Sequence, residues 1–123
     1  YKAFLDCAVW AKDNLPKDAI VASRKERIFY IFSDGLRGYK NFSLTDNRMI
    51  EKKVTMEEYE KYKLDQFAKA NTDYLILDTF TSSSVQIIFP IIQKNPDKFK
   101  LEKVIGDEKT GPCYVFKIIK WWK

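Results

Sequence analysis

Two short apolar runs, Ala19-Ile-Val-Ala-Ser23 and Tyr74-Leu-Ile-Leu-Asp78, each follow closely on a stretch with helical apolar spacing. This alternation constrains the fold more than any other feature. A continuous apolar run of four or five residues suits a strand covered on both faces, and strands separated by helices pair in parallel. Before the first run, Phe4, Ala8, Ala11 and Leu15 form a helical stripe, and Ala3, Cys7 and Trp10 widen it to a second row. Such a broad apolar surface predicts a deeply packed helix over residues 2 to 14. Pro16 ends it, because the residue before a proline is pushed out of the helical region.

The rest of the chain extends the pattern. Residues 26 to 33 predict a short helix stopped at Ser33-Asp34-Gly35, with Gly35 in the left-handed cap. Residues 38 to 44 predict a strand. Thr55-Met-Glu-Glu58 is a capping box that opens a helix over 56 to 71. The serines at 82 to 84 open another helix bearing Val85, Ile88, Phe89, Ile91 and Ile92, with Pro90 either kinking it or starting its second segment. Two final strands, 99 to 105 and 113 to 119, are joined by a stretch of hairpin composition. The expected fold is α/β in three layers. Its mixed sheet has about five strands, a parallel central part and a C-terminal antiparallel hairpin.

Composition then removes whole classes of function. At 123 residues, 46% hydrophobic and with four glycines and four prolines, the chain suits one soluble domain and rejects disorder. It contains no histidine, so a Ser-His-Asp triad, a Cys-His pair and a histidine-ligated zinc site are impossible within it. Cys7 and Cys113 are too few for a thiolate metal site. They either pair as a disulfide in an oxidising compartment or remain small buried apolar residues, and the sequence leaves both open. No metal or other cofactor is expected. The net charge of +5 is scattered rather than gathered in a stripe, so no nucleic-acid partner is expected, whereas anionic lipid headgroups remain compatible.

Candidate site residues follow from the strand ends. Ligands of open α/β sheets collect outside the carboxyl ends of parallel strands, here Ser23-Arg24-Lys25 and Asp78-Thr-Phe-Thr81. If these strands are neighbours, Arg24, Lys25 and Asp78, with Ser33 and Arg37 from the loop after the second helix, form a cradle for an anion or an acceptor. The plainer alternative is that Arg24 or Lys25 pairs with Asp78 while the serines cap helices. No residue is assigned a catalytic role. In the tail, Trp121, Trp122 and Lys123 are candidates for a membrane-proximal position, since indoles favour the membrane-water boundary. Packing over the sheet edge is the alternative for them.

Trp10-Ala-Lys-Asp-Asn-Leu-Pro-Lys-Asp-Ala-Ile-Val-Ala-Ser-Arg-Lys25 resembles the carboxy-terminal soluble domain of bacterial polytopic membrane glycosyltransferases, relatives of dolichyl-phosphate-mannose-protein mannosyltransferases and aminoarabinose transferases. The likeness covers nearly the whole chain. Phe32-Ser-Asp-Gly-Leu-Arg37 is similar to that family's Ser-Gly-Arg segment, with Asp34 and Leu36 inserted, and Asn71-Thr-Asp-Tyr-Leu-Ile-Leu-Asp78 matches its Tyr-to-Asp strand. Phe89-Pro-Ile-Ile and Asn95-Pro-Asp-Lys-Phe99 match the helix and turn that follow. The resemblance implies a parent enzyme that transfers a sugar from a polyprenyl-phosphate donor, with its catalytic acids elsewhere. This domain would be an accessory on the extracytoplasmic, periplasmic face of the bacterial inner membrane. Its partner would be the transmembrane portion of the same polypeptide, with lipid headgroups or a lipid-linked sugar nearby. The helix that begins at Tyr1, without an initiator methionine, reads as the place where the chain leaves the membrane. The competing expectation is a free-standing α/β domain that binds a phosphorylated small molecule or nucleic acid.

Overall fold

A computed structural model describes residues 2–24, 26–34, 40–43, 55–79, 87–107, 109 and 111–123. The elements run α1 (Lys2–Asn14), β1 (Ile20–Ser23), α2 (Glu26–Phe32), β2 (Lys40–Ser43), α3 (Met56–Lys69), β3 (Tyr74–Asp78), α4 (Phe89–Lys94), β4 (Phe99–Ile105) and β5 (Cys113–Ile118). The strands form one mixed sheet in the order β2-β1-β3-β5-β4. β1 is parallel to both β2 and β3, while β5 is antiparallel to both β3 and β4. Four of the strands, β1, β3, β5 and β4, have described side chains, and β2 is described through its backbone. The α/β class, the parallel centre and the antiparallel hairpin are those expected from the sequence.

Strand alternation sends neighbouring side chains into two separate cores. The first core gathers Val21, Ile76, Cys113 and Val115 with Phe29 of α2 and the α1 row Ala3, Phe4, Cys7, Ala8 and Ala11. Its helix contribution is mostly small side chains, which lets α1 lie close to the strands. The second core gathers Ala22, Leu75, Leu77, Phe116 and Ile118 with Tyr59 and Phe67 of α3 and Ile91 and Ile92 of α4. Aromatic rings dominate that side. Phe67 meets Phe99 edge-on at 5.9 Å between ring centres, and Phe99 meets Trp121 at 6.2 Å.

The helix ends show how local chemistry sets element lengths. Thr55 caps α3 by accepting from the Glu58 amide at 3.1 Å, as a capping box requires. The Glu58 carboxylate turns to the Thr55 hydroxyl, also at 3.1 Å. At the other end, Thr72 N–H donates to the Phe67 carbonyl and Asn71 N–H to the Ala68 carbonyl, each at 3.0 Å. This double closure needs a left-handed residue, and Asn71 supplies it with φ 53°. After α2 the left-handed residue is Asp34, with φ 60°, while Gly35 lies outside the described residues. Pro90 falls in the first turn of α4, where its missing N–H costs nothing. Ser82 to Ser84 lie outside the described residues.

β4 is an edge strand with only Phe99 buried. Its pairing with β5 slips between Leu101 and Lys103, and the slip falls in the charged run Lys100 to Lys103. An irregular, charged edge discourages the addition of a foreign strand.

Candidate functional site at the ends of the parallel strands

From β1 the chain moves outward to β2, then crosses back over β1 to β3. The crevice between the carboxyl ends of β1 and β3 is therefore the topological switch point, where ligands of open α/β sheets bind. Ser23 pairs with Ile76 in the parallel register, so Arg24 leaves β1 beside the last residues of β3. Arg24 Nη2 lies 3.0 Å from Asp78 Oδ2, and Arg24 Nε donates to Oδ2 at 3.1 Å and to Oδ1 at 3.3 Å. The side chains are 12% and 3% exposed respectively. The two strand ends expected to meet do meet, in the form of an ion pair. Asp78 is thereby held by a guanidinium.

The Ser23 hydroxyl is fully buried and has no hydrogen-bond partner among the described residues. Thr79 Oγ1 donates to the Pro112 carbonyl at 2.7 Å and ties the end of β3 to the start of β5. Gly111, at φ 69°, sits so close that an added Cβ would lie 3.3 Å from Thr79 Oγ1. Ser33 is buried as well, and its hydroxyl donates back to the Tyr30 carbonyl at 3.3 Å within the last turn of α2. Lys25 and Arg37 lie outside the described residues. Among the described residues no cluster of three or more acidic or cysteine side chains is placed to hold a metal ion.

The opposite, amino end of β3 holds a second polar arrangement that the strand-end rule does not point to. An open crevice of about 760 Å³ is lined by Asp18, Asn71, Asp73, Tyr74, Lys117 and Lys120, among others. Asp73 accepts from the Ile20 amide at 2.8 Å and pairs with Lys120 Nζ at 2.6 Å. Asn71 Oδ1 accepts from Lys120 Nζ at 3.1 Å and from Trp122 Nε1 at 3.2 Å. Burial, then the nearby Glu102 and Asp73 carboxylates, push the Tyr74 hydroxyl above its ordinary pKa. The only sequence signal for this arrangement was an asparagine at a helix end followed by an aspartate before a strand.

The tail residues take part in packing. Trp121 and Trp122 are half-buried and meet edge-on at 4.7 Å between ring centres, with Lys98 Nζ 5.7 Å from the Trp121 ring centre. Lys123 is exposed. A further buried cation, Lys63 of α3, donates to Gln66 Oε1 at 2.8 Å and stands 5.9 Å from the Tyr59 ring centre. Hydrophobic periodicity does not mark it, since lysine at such a position ordinarily snorkels to water. Among the described residues no helix is long and apolar enough to cross a membrane. Comparison with known protein families, curated proteins and solved structures returns no match.

Proposed function

We propose that this chain is a non-catalytic accessory domain of a bacterial inner-membrane glycosyltransferase whose donor is a polyprenyl-phosphate-linked sugar. It stands on the extracytoplasmic face against the transmembrane portion of its own polypeptide and helps to position the acceptor. Its architecture in this reading is three-layered, on a sheet of about five strands. The observation that carries the proposal is the meeting of the segments that bear the family resemblance. Residues 10–25 and 71–78 contain β1 and β3, which are neighbours, and their ends are clamped by the Arg24–Asp78 pair. A strand-end carboxylate spent on a structural clamp fits a domain whose parent keeps its catalytic acids elsewhere. The coding sequence upstream of Tyr1 tests the proposal. Several hydrophobic spans of roughly 20 residues are expected there, and their absence would remove this reading.

One observation favours a second reading, a free-standing α/β domain for a phosphorylated small molecule. The Ser23 hydroxyl, without a partner among the described residues, lies next in sequence to Arg24, at the place where such folds bind ligands. Titration with anionic sugar phosphates at two salt concentrations separates the readings. Saturable, salt-sensitive binding supports the second, and absence of binding supports the first.

A further inference from the structure

Cys7 and Cys113 stand near opposite ends of the chain, yet both thiols are fully buried in the first core. Cys7 lies on the row of α1 formed with Phe4, Ala8 and Ala11, the row that faces the sheet. Cys113 opens β5 and is the register partner of Asp78 on one side and of Ile105 on the other. Strand alternation sends Cys113 and Val115 toward α1, while Phe116 and Ile118 go to the second core. Both side chains thus lie in the one packed layer between α1 and the sheet, where Cys7 is the leading influence on the Cys113 thiol.

We propose that Cys7 and Cys113 form a disulfide site that joins α1 to β5 when the chain folds in the presence of a disulfide donor. The bond would close a loop around nearly the whole fold, the arrangement in which cross-linking most restricts the unfolded chain. Chemically, two S–H bonds are replaced by one S–S bond. Two electrons and two protons pass to the donor, a small-molecule or protein disulfide, whose own S–S bond opens into two thiols. Burial also sets the timing. Exchange begins with attack by a thiolate, and neither sulfur is open to solvent in the folded dithiol form, so the bond forms during folding and hardly at all afterwards. Closure then joins two side chains that already share one packed core. The proposal stands on this geometry alone; only its occurrence in the cell rests on the extracytoplasmic placement proposed above.

Refolding the 123-residue chain from urea with a reduced and oxidised glutathione mixture tests the site. The expected product is a monomer lighter by two hydrogens, with one peptide linking Cys7 to Cys113. Its Tm should lie about 10 °C or more above that of the same chain refolded with a reductant. The Cys7→Ala, Cys113→Ala double variant should show no difference between the two conditions. Adding glutathione disulfide to the already folded dithiol form should produce the link at least tenfold more slowly than refolding does. Two free thiols in natively folded product after oxidative refolding, or a link that lowers Tm, would overturn the proposal.

Discussion

Asp73 and Asp78 stand at opposite ends of β3, and each holds a cation, but the pairs differ in kind. Asp78 and Arg24 are almost wholly enclosed, at 3% and 12% exposure, and the guanidinium meets both carboxylate oxygens. Asp73 and Lys120 are 29% and 21% exposed and border an open crevice; Asp73 also accepts from Ile20, and Lys120 also donates to Asn71, which accepts from Trp122 as well. Enclosure makes a charge pair costly to break, because the surviving partner is stranded away from water. Exposure makes it cheap to rearrange. The carboxyl end is therefore a clamp, and the amino end is a polar surface with room to exchange partners.

This contrast can be broken by mutation. The largest effect is expected for Asp78→Ala, which leaves Arg24 stranded and should cost about 3–5 kcal/mol in urea denaturation. The Arg24→Leu, Asp78→Leu double variant should recover most of that loss, since no unpaired charge remains. A cost below about 1 kcal/mol for the single variant would show that Asp78 is not a clamp. Asp73→Ala should cost less, about 1–2 kcal/mol, because the Ile20 amide loses its acceptor but water can reach the crevice. Were the order of these two costs reversed, the distinction between the ends would be wrong.

Alkaline pH sharpens the comparison through the clamp's neighbour. Cys113 is held above the ordinary thiol range, first by its hydrogen bond to Cys7, then by burial, and then by the Cys7 and Asp78 charges. Its folded pKa is raised, so its contribution to stability is intact below the unfolded thiol value of about 8.5 and is lost as pH rises beyond it. The urea midpoint of the dithiol form should fall from about pH 8.5 upward, and less steeply in Cys113→Ala. Tyr74, also raised, adds a further loss that begins only near pH 10 and that Tyr74→Phe should remove. The same slope in all three proteins would exclude both assignments. The smallest effect is expected for Trp122→Phe, which removes one exposed hydrogen bond to Asn71 and should cost about 0.5–1.5 kcal/mol.

Much of the fold was legible because its signals are local. The α1 stripe, the Pro16 stop, the Thr55 cap and the two apolar runs each act within a few residues, and α1, β1, α3 and β3 appear within a few residues of their expected bounds. The left-handed residues were less legible. Asn71 takes the cap after α3 where its own amide and that of Thr72 close the helix and the Lys120 and Trp122 side chains, from the far end of the chain, donate to its side chain. Of the candidate site, the meeting of Arg24 and Asp78 was readable from strand order, whereas the crevice at Asp73 was not. The tail tryptophans fit a membrane boundary or a packed edge equally well as letters, and the packing contacts with Phe99 and Asn71 exist only once β3 and β5 are paired.

The sequence by itself determined the helices, the strands, the parallel centre and the exclusion of histidine chemistry, because propensity, periodicity and composition need no distant partner. Tertiary structure alone decided that Arg24 rather than another cation clamps Asp78, that the Ser23 hydroxyl is buried without a partner among the described residues, and that Cys7 and Cys113 share one core. Each of these depends on residues far apart in the chain. Their proximity is set by strand order and by which way a side chain points from the sheet, so no local pattern encodes it.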